Sequence, residues 1–190
     1  YFSMMDWFHP DGIRCAVDEA ARRRFVDYIH TQVHEICSNY GKIDILWWDG
    51  TWPLNAAGWE SEKLHKHILE LQPGILFNDR GGMKGDFSTS EQKIEPAGEG
   101  RPWETCMTMA NSWSYVETDK YKPTEKLIKT LVDVVSNGGN LLLNIGPSPT
   151  GEFAPDAYDR LEGLSNWMVV NQEAIYSTRP CEHFREGDDI

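Results

Sequence analysis

Short apolar runs alternate along this chain with segments of helical spacing, and no two apolar runs are joined by a tight hairpin turn. That alternation limits the possible folds more than any other feature of the sequence. The spacing predicts strands over residues 1–5, 43–48, 75–77, 103–109 and 140–145. Between them it predicts helices over 17–40 and 60–71, a helix capped by Thr124, and a last one over 156–171. In the first helix Val26, Ile29, Val33, Ile36 and Cys37 recur on one face, and Gly41 follows as the stop. Leu127, Leu131, Val134 and Val135 play the same part in the third, which leaves through Asn137-Gly138-Gly139. Residues 81–102, rich in glycine, read as a long loop. Strand and helix in alternation predict a parallel α/β architecture. In such folds the polar residues just past each strand's C-terminal end gather on one face, where active sites lie. Here those residues are Asp6, Asp49, Asn78 to Arg80, Glu104 and Asn144.

Charge and composition exclude several classes of function. The formal net charge of −12 offers no electrostatic footprint for nucleic acid or an anionic membrane. The basic triplet Arg22-Arg23-Arg24 falls in a helical pattern and reads as a solvated face. No apolar run reaches the ~18 residues needed to span a bilayer. Cys15, Cys37, Cys106 and Cys181 lack the spacing of a zinc site or a disulfide framework. The histidines sit mostly on helix faces: His65 and His67 diverge, and His30 and His34 have no third ligand nearby, so no metal is expected. No GxSxG elbow marks a serine nucleophile, and Gly138-Gly139 lacks the spacing and lysine of a phosphate loop. No cofactor is implied. Eight tryptophans without excess basic charge suit a sugar better than a phosphate.

Residues 45–50 read ILWWDG, an apolar strand ending in one carboxylate. A core strand avoids a charge unless something pairs it or uses it. Asp49 can be a nucleophile, a general acid, a metal ligand or a turn-forming cap, and the bland turn reading stays open. Glycoside hydrolysis needs two carboxyls across the scissile bond, ~5–5.5 Å apart for retention and wider for inversion. The chain offers Asp49 on a strand, with Glu91 and Glu104 in or after the long loop. Arg80 can hold a hydroxyl or a carboxylate, and an indole face can stack on a pyranose.

The strings YFSMMDWFHP, LWWDG, FNDR, GDFSTSEQ, WETCMTM, NSWSY, VDVVSNGGNLLLNIGPSPTGEF and NQEAIYSTRP, in that order, resemble the α-L-fucosidases of glycoside hydrolase family 29. The resemblance covers nearly the whole chain. It implies a retaining exo-fucosidase on a distorted (β/α)8-like (TIM-type) barrel, acting on a fucosylated oligosaccharide or glycoconjugate. The family's nucleophile falls on Asp49 and its acid/base on Glu91 of the T-x-E motif, with Glu104 of the W-E motif as the competing position. Fucose contacts fall on Tyr1, Trp47, Arg80 and Trp113. The S-W-G-Y motif reads SWSY, with Ser114 in place of glycine, and Gln172 and Ser177 stand where N-G-E-A-I-Y-G-T has glycines. The family's upstream half-barrel, with its His-His-Asp-Gly motif, and its trailing β-sandwich have no counterpart here. Residues 1–180 are therefore expected to form the later strands and helices of the barrel, and 181–190 a linker toward an absent β-sandwich. A chain of that kind is expected to need the missing half or another copy to cover its apolar sheet. The alternative is a non-hydrolysing carbohydrate-binding remnant of the same barrel.

Overall fold

A computed structural model describes residues 1–98 and 100–180, which divide into two compact units, Tyr1–Ser88 and the part from Thr89 onward. The first unit runs β1 (Phe2–Ser3), α1 (Glu19–Asn39), β2 (Ile45–Leu46), β3 (Trp48–Asp49), α2 (Ser61–Leu71) and β4 (Leu76–Phe77). β2 and β3 are successive pieces of one extended run, and Trp47 separates them. β1 pairs in parallel with β3, and β4 in parallel with β2. The ladder continues past these short pieces, with Phe2 N donating to Trp47 O at 2.8 Å and Leu76 N to Asp44 O at 2.9 Å.

α1 begins at Glu19 because Asp18, in extended backbone, accepts from the amides of Ala20 and Ala21 at 2.9 and 3.1 Å. Those bonds satisfy two of the donors a helix start leaves over and hold the Asp18 carboxyl below its usual range. The helix buries Phe25, Val26, Ile29, Val33 and Cys37, and α2 adds Leu64 and Ile68. These pack with Met4, Leu46, Trp48, Trp59 and Phe77 in one core. Each such side chain contributes about 1.5–3 kcal/mol when fully removed from water.

The basic triplet is more than a solvated face. Arg24 holds the nearly buried carboxylate of Asp11 with two hydrogen bonds of 2.8 Å, and Arg22 donates to the carbonyls of Cys15 and Ala16. Only Arg23 pairs along the helix surface, with Glu19. The helix needs donors here because the turn before it presents its carbonyls and a carboxylate toward α1.

The second unit holds a sheet in the order β5–β6–β7, formed by β5 (Ser88–Glu91, beginning at the unit boundary), β6 (Trp103–Thr108) and β7 (Asn140–Asn144). β6 and β7 are parallel, in register from Glu104↔Asn140 to Thr108↔Asn144. Residues 81–102 are therefore not all loop. Ser-Thr-Ser-Glu carries no apolar alternation, so β5 is defined by its pairing and leaves no mark in the hydrophobic pattern. α3 (Thr124–Ser136) and α4 (Pro155–Asn171) complete the unit. Thr124 is the first helical residue of α3 and not its cap. Pro123 precedes the helix with extended backbone, and no side chain caps it. Met109, Leu127 and Ala157 are buried among Leu143, Ile145, Phe153, Leu161 and Leu164.

The exit of α3 shows why two glycines follow it. Gly138 takes φ +76°, and a Cβ on Gly139 would lie 2.4 Å from the indole of Trp103. That indole donates to Asn137 O at 3.2 Å. Cys15, Cys37 and Cys106 are buried, and burial pushes the first two thiols above their usual range. Cys181 and the expected linker 181–190 lie outside the described residues.

Candidate active site

Side chains alternate along a strand. Trp48 points into the core of the first unit and is fully buried, while Trp47 and Asp49 group on the other side with Tyr1 and Arg80. Asp49 is the last residue of β3, and its carbonyl accepts from Met4 N at 2.9 Å. The hydroxyl of Tyr1 donates to Asp49 Oδ2 at 2.5 Å. The ring of Tyr1 stacks on Trp47, with centroids 5.6 Å apart and planes within 22°. Arg80 places its guanidinium carbon 4.9 Å from the centre of the Trp47 ring and its NH1 3.5 Å from Asp49 Oδ1. The Asp49 side chain is about one-third exposed (36%), open enough to meet a ligand. The fold brings Tyr1, Trp47, Asp49 and Arg80, all candidate site residues of the sequence, together.

Two features of the first unit hold this group in place. β4 ends at Phe77, and the fully buried side chain of Asn78 takes over the ladder. Trp48 N donates to Asn78 Oδ1 at 2.8 Å, and Asn78 Nδ2 donates to Trp48 O at 2.9 Å. The carboxamide thus copies a backbone rung immediately before Asp49. Beneath it, Trp48, His65 and Phe77 lie nearly parallel, with centroids 5.6 Å apart for the first pair and 4.3 Å for the second. Burial lowers the pKa of His65, so the ring stays neutral in the stack, and the Asp86 charge opposes this only in part. Gly81 closes over Trp48: a Cβ there would meet the indole at 2.5 Å. Asp6, grouped with the site by its strand-end position, is occupied otherwise. It accepts from Phe8 N, His9 N and Tyr28 OH, and the Phe8 bond leads in depressing its pKa.

In the second unit, Glu91 is the exposed last residue of β5. Gln92 follows at φ +56°, and its N–H donates to Cys106 O at 2.9 Å. Its side-chain amide meets Thr108, donating to Oγ1 at 3.0 Å and accepting from N at 3.3 Å. Lys122 Nζ also donates to Thr108 Oγ1, at 3.0 Å. Glu104 is the second residue of β6 and pairs with the first residue of β7. It therefore lies near the entry of its strand and not past its C-terminal end, because β6 runs on to Thr108. Trp113 sits about 40% exposed in a turn pinned by Asp119, whose carboxylate accepts from the amides of Asn111, Ser112 and Lys120. Gly146 lies against this turn, where a Cβ would come within 2.5 Å of Tyr115 N.

The histidines pair differently from their order in sequence. His34 on α1 meets His67 on α2 at 2.8 Å, and His30 Nε2 bonds Trp59 O. Among the described residues no three His, Cys, Asp or Glu side chains converge as metal ligands, and no helix is long and apolar enough to cross a membrane. The structural roles of Asn78, Gln92 and Lys122 were not readable in advance. Asn78 carried a partial signal, being the first polar residue after a strand, and Lys122 carried none.

A carboxylate on the tip of a parallel strand, held by a phenol and a guanidinium beside a stacked indole, is the kind of site found in carbohydrate-active α/β proteins. An indole face offers an apolar plane to a sugar ring, and charged groups of this kind suit its hydroxyls. Comparison with known proteins narrows this class, since the α-L-fucosidase family model matches residues 1–173, and the chain belongs to that family. It is 34% identical over 193 residues to the plasma α-L-fucosidase of Homo sapiens, covering 94% of this chain and 41% of that protein. Among solved structures, α-L-fucosidase isoenzyme 1 from Paenibacillus thiaminolyticus superposes with a TM-score of 0.86 at 33% identity, over 96% of this chain and 51% of that one. A family 29 α-L-fucosidase from Bacteroides thetaiotaomicron, captured as a trapped covalent intermediate, gives 0.87 at 27% identity over 98% of this chain and 49% of its own. The fold is thus part of the (β/α)8-like barrel of these glycoside hydrolases. The chain spans less than half the length of the curated relatives it matches.

Proposed function

We propose that this chain carries the catalytic carboxylates of a retaining exo-α-L-fucosidase that releases terminal α-L-fucose from glycans. The observation that carries the reading is the grip of Tyr1 and Arg80 on Asp49 beside Trp47. In the first step an Asp49 oxygen attacks the anomeric carbon of fucose as the glycosidic C–O bond breaks. Glu91 gives its proton to the departing oxygen, and the sugar is left β-linked to Asp49. In the second step Glu91, now a carboxylate, takes a proton from water as that water displaces Asp49, restoring the α configuration. Arg80 steadies the Asp49 carboxylate before it attacks and again as it departs in the second step, and Trp47, Tyr1 and Trp113 supply apolar surface for the sugar. Glu91 is preferred to Glu104 because Glu104 sits at the entry of β6. The covalent intermediate trapped in the Bacteroides relative supports the two-step course.

The stereochemistry of azide products tests both assignments in the full natural polypeptide. Asp49→Gly with azide should give β-L-fucosyl azide, because the anion enters from the vacated face. Glu91→Ala with azide should give the α anomer by attack on the fucosyl-enzyme. Rescue at Glu104→Ala in place of Glu91→Ala would move the acid/base to Glu104.

A second reading is a non-hydrolysing fucose-binding module, for which the stacked Tyr1 and Trp47 rings and the Arg80 guanidinium beside them offer the surface. Fucose binding by calorimetry without turnover of 4-nitrophenyl α-L-fucoside would favour it. Register partners Ile45 and Leu76 are both nearly half exposed, at 48% and 44%, although parallel strands are ordinarily covered on both faces. We take this apolar pair as the place where a complementary half-barrel or a second copy packs. Light scattering should then show association, or light-scattering mass should rise on adding the complementary part.

A further inference from the structure

We infer that Gln92 is a positioning residue for the Glu91 carboxyl, fixing it through a side-chain rung onto Thr108. This deepens the proposed function and rests on the reading of Glu91 as its acid/base. Gln92 has φ +56°, a left-handed conformation that residues with a Cβ rarely adopt, so surrounding bonds must hold it there. They do so from three atoms. Its N–H reaches Cys106 O at 2.9 Å, its Nε2 reaches Thr108 Oγ1 at 3.0 Å, and its Oε1 accepts from Thr108 N at 3.3 Å.

The anchor is itself held by further bonds. Thr108 is buried, its hydroxyl donates to Ala110 O at 2.5 Å, and Thr108 Oγ1 accepts from Lys122 Nζ at 3.0 Å. On the far side of the turn Lys93 O accepts from Thr105 Oγ1 at 2.7 Å and from Ser90 Oγ at 3.0 Å. The backbone on both sides of Glu91 is thus tied to β6 or to itself. Asparagine is one methylene too short for the two-point contact, and glutamate has no donor for Thr108 Oγ1. The contact parallels, at the second carboxylate, the Asn78 carboxamide beside Asp49, with the Thr108 hydroxyl taking the place of a backbone carbonyl. Both rungs place a fixed backbone next to the group whose carboxyl must meet a reacting atom.

The test uses leaving-group dependence, which a purely structural role would not change. A general acid matters most when the departing oxygen is basic, and least for an activated aryl leaving group. kcat/KM reports the first irreversible step, in which Glu91 acts as acid. In Gln92→Ala it should fall about 100-fold on methyl α-L-fucoside, the scale of a small misplacement. On 2-chloro-4-nitrophenyl α-L-fucoside the same variant should lose less than about threefold. Gln92→Gly removes the rung while accepting the left-handed backbone without cost, and should show the same split even if the alanine variant folds poorly. Equal losses on both substrates, or wild-type behaviour in both variants, would overturn the inference. Glu91→Ala with azide, run in parallel, separates the two levels. α-L-fucosyl azide without a Gln92 split rejects only the role of Gln92, whereas no rescue rejects the acid/base reading and the inference with it.

Discussion

Tyr1 and Asp49 are joined by a hydrogen bond of 2.5 Å from the phenol to Oδ2, while the same phenol ring lies stacked on Trp47. One side chain therefore fixes both the carboxylate and the edge of the aromatic surface beside it. Tyr1→Phe separates the two duties, because it keeps the stack and deletes the donor. A hydrogen bond to a charged group is worth about 1.5–3 kcal/mol, less where solvent competes, so kcat/KM should fall about tenfold. The fold should persist, since Tyr1 is largely exposed. Steady-state kinetics with an aryl fucoside, beside a thermal melt, would check this. An unchanged rate would mean that Arg80 alone orients Asp49.

Asn78 makes a prediction about stability. Its amide pairs with both backbone groups of fully buried Trp48. Asn78→Ala would leave the Trp48 N–H and C=O unpaired, at a cost of about 2–4 kcal/mol. Urea denaturation should show the midpoint lowered with the slope retained. Asn78→Asp should be little better, because a carboxylate accepts from the N–H but cannot donate to the carbonyl.

The buried imidazole of His65 gives a pH dependence of definite sign. Burial holds its folded-state pKa below the unfolded value of 6.5, so the unfolded chain binds the extra proton first. This contribution is fully present above about pH 6.5 and is lost as the pH falls toward the folded-state pKa. Stability should therefore decline from pH 7.5 to 5 in the wild-type protein. His65→Phe keeps a flat ring between Trp48 and Phe77, and should remove that part of the decline. Denaturation curves at several pH values would show it, and parallel slopes for both proteins would exclude His65 as the source.

The parts of this molecule that could be read from sequence are those that repeat locally. The apolar faces of α1 and α2 and the ILWW run fix their own burial, because a side chain's direction follows from its place in a helix or strand. The grouping of Trp47 with Asp49, opposite Trp48, follows from that same alternation. β5 could not be read, since Ser-Thr-Ser-Glu has no apolar period and owes its conformation to β6. Nor could the two carboxamide rungs, which join residues 30 and 16 positions apart and depend on where the neighbouring strand ends. The Arg24–Asp11 pair leaves no mark in the sequence for a related reason: a basic triplet on a helix looks solvated until the preceding turn folds back beneath it. Local pattern identified the carboxylate, and long-range bonds hold it in place.

Arg80 allows charge to be separated from shape. Its guanidinium stands 4.9 Å from the Trp47 ring centre and 3.5 Å from Asp49 Oδ1, so it touches both the carboxylate and the aromatic surface. Lysine carries the same charge on a flexible stem, without the flat face or the fork of donors. If charge near Asp49 were the whole contribution, Arg80→Lys would leave kcat nearly intact. The stacked geometry predicts otherwise, because a planar cation shares its hydrogen bonds between the carboxylate and a sugar hydroxyl while resting on the indole. Arg80→Lys should raise KM about tenfold and lower kcat by a similar factor, whereas Arg80→Met, which loses the charge as well, should cost at least ten times more in kcat/KM. Michaelis–Menten constants for both variants on one aryl fucoside would decide between the two accounts. Equal effects of lysine and methionine would mean that planarity is what the site requires, and a near-silent lysine would mean that the charge alone is enough.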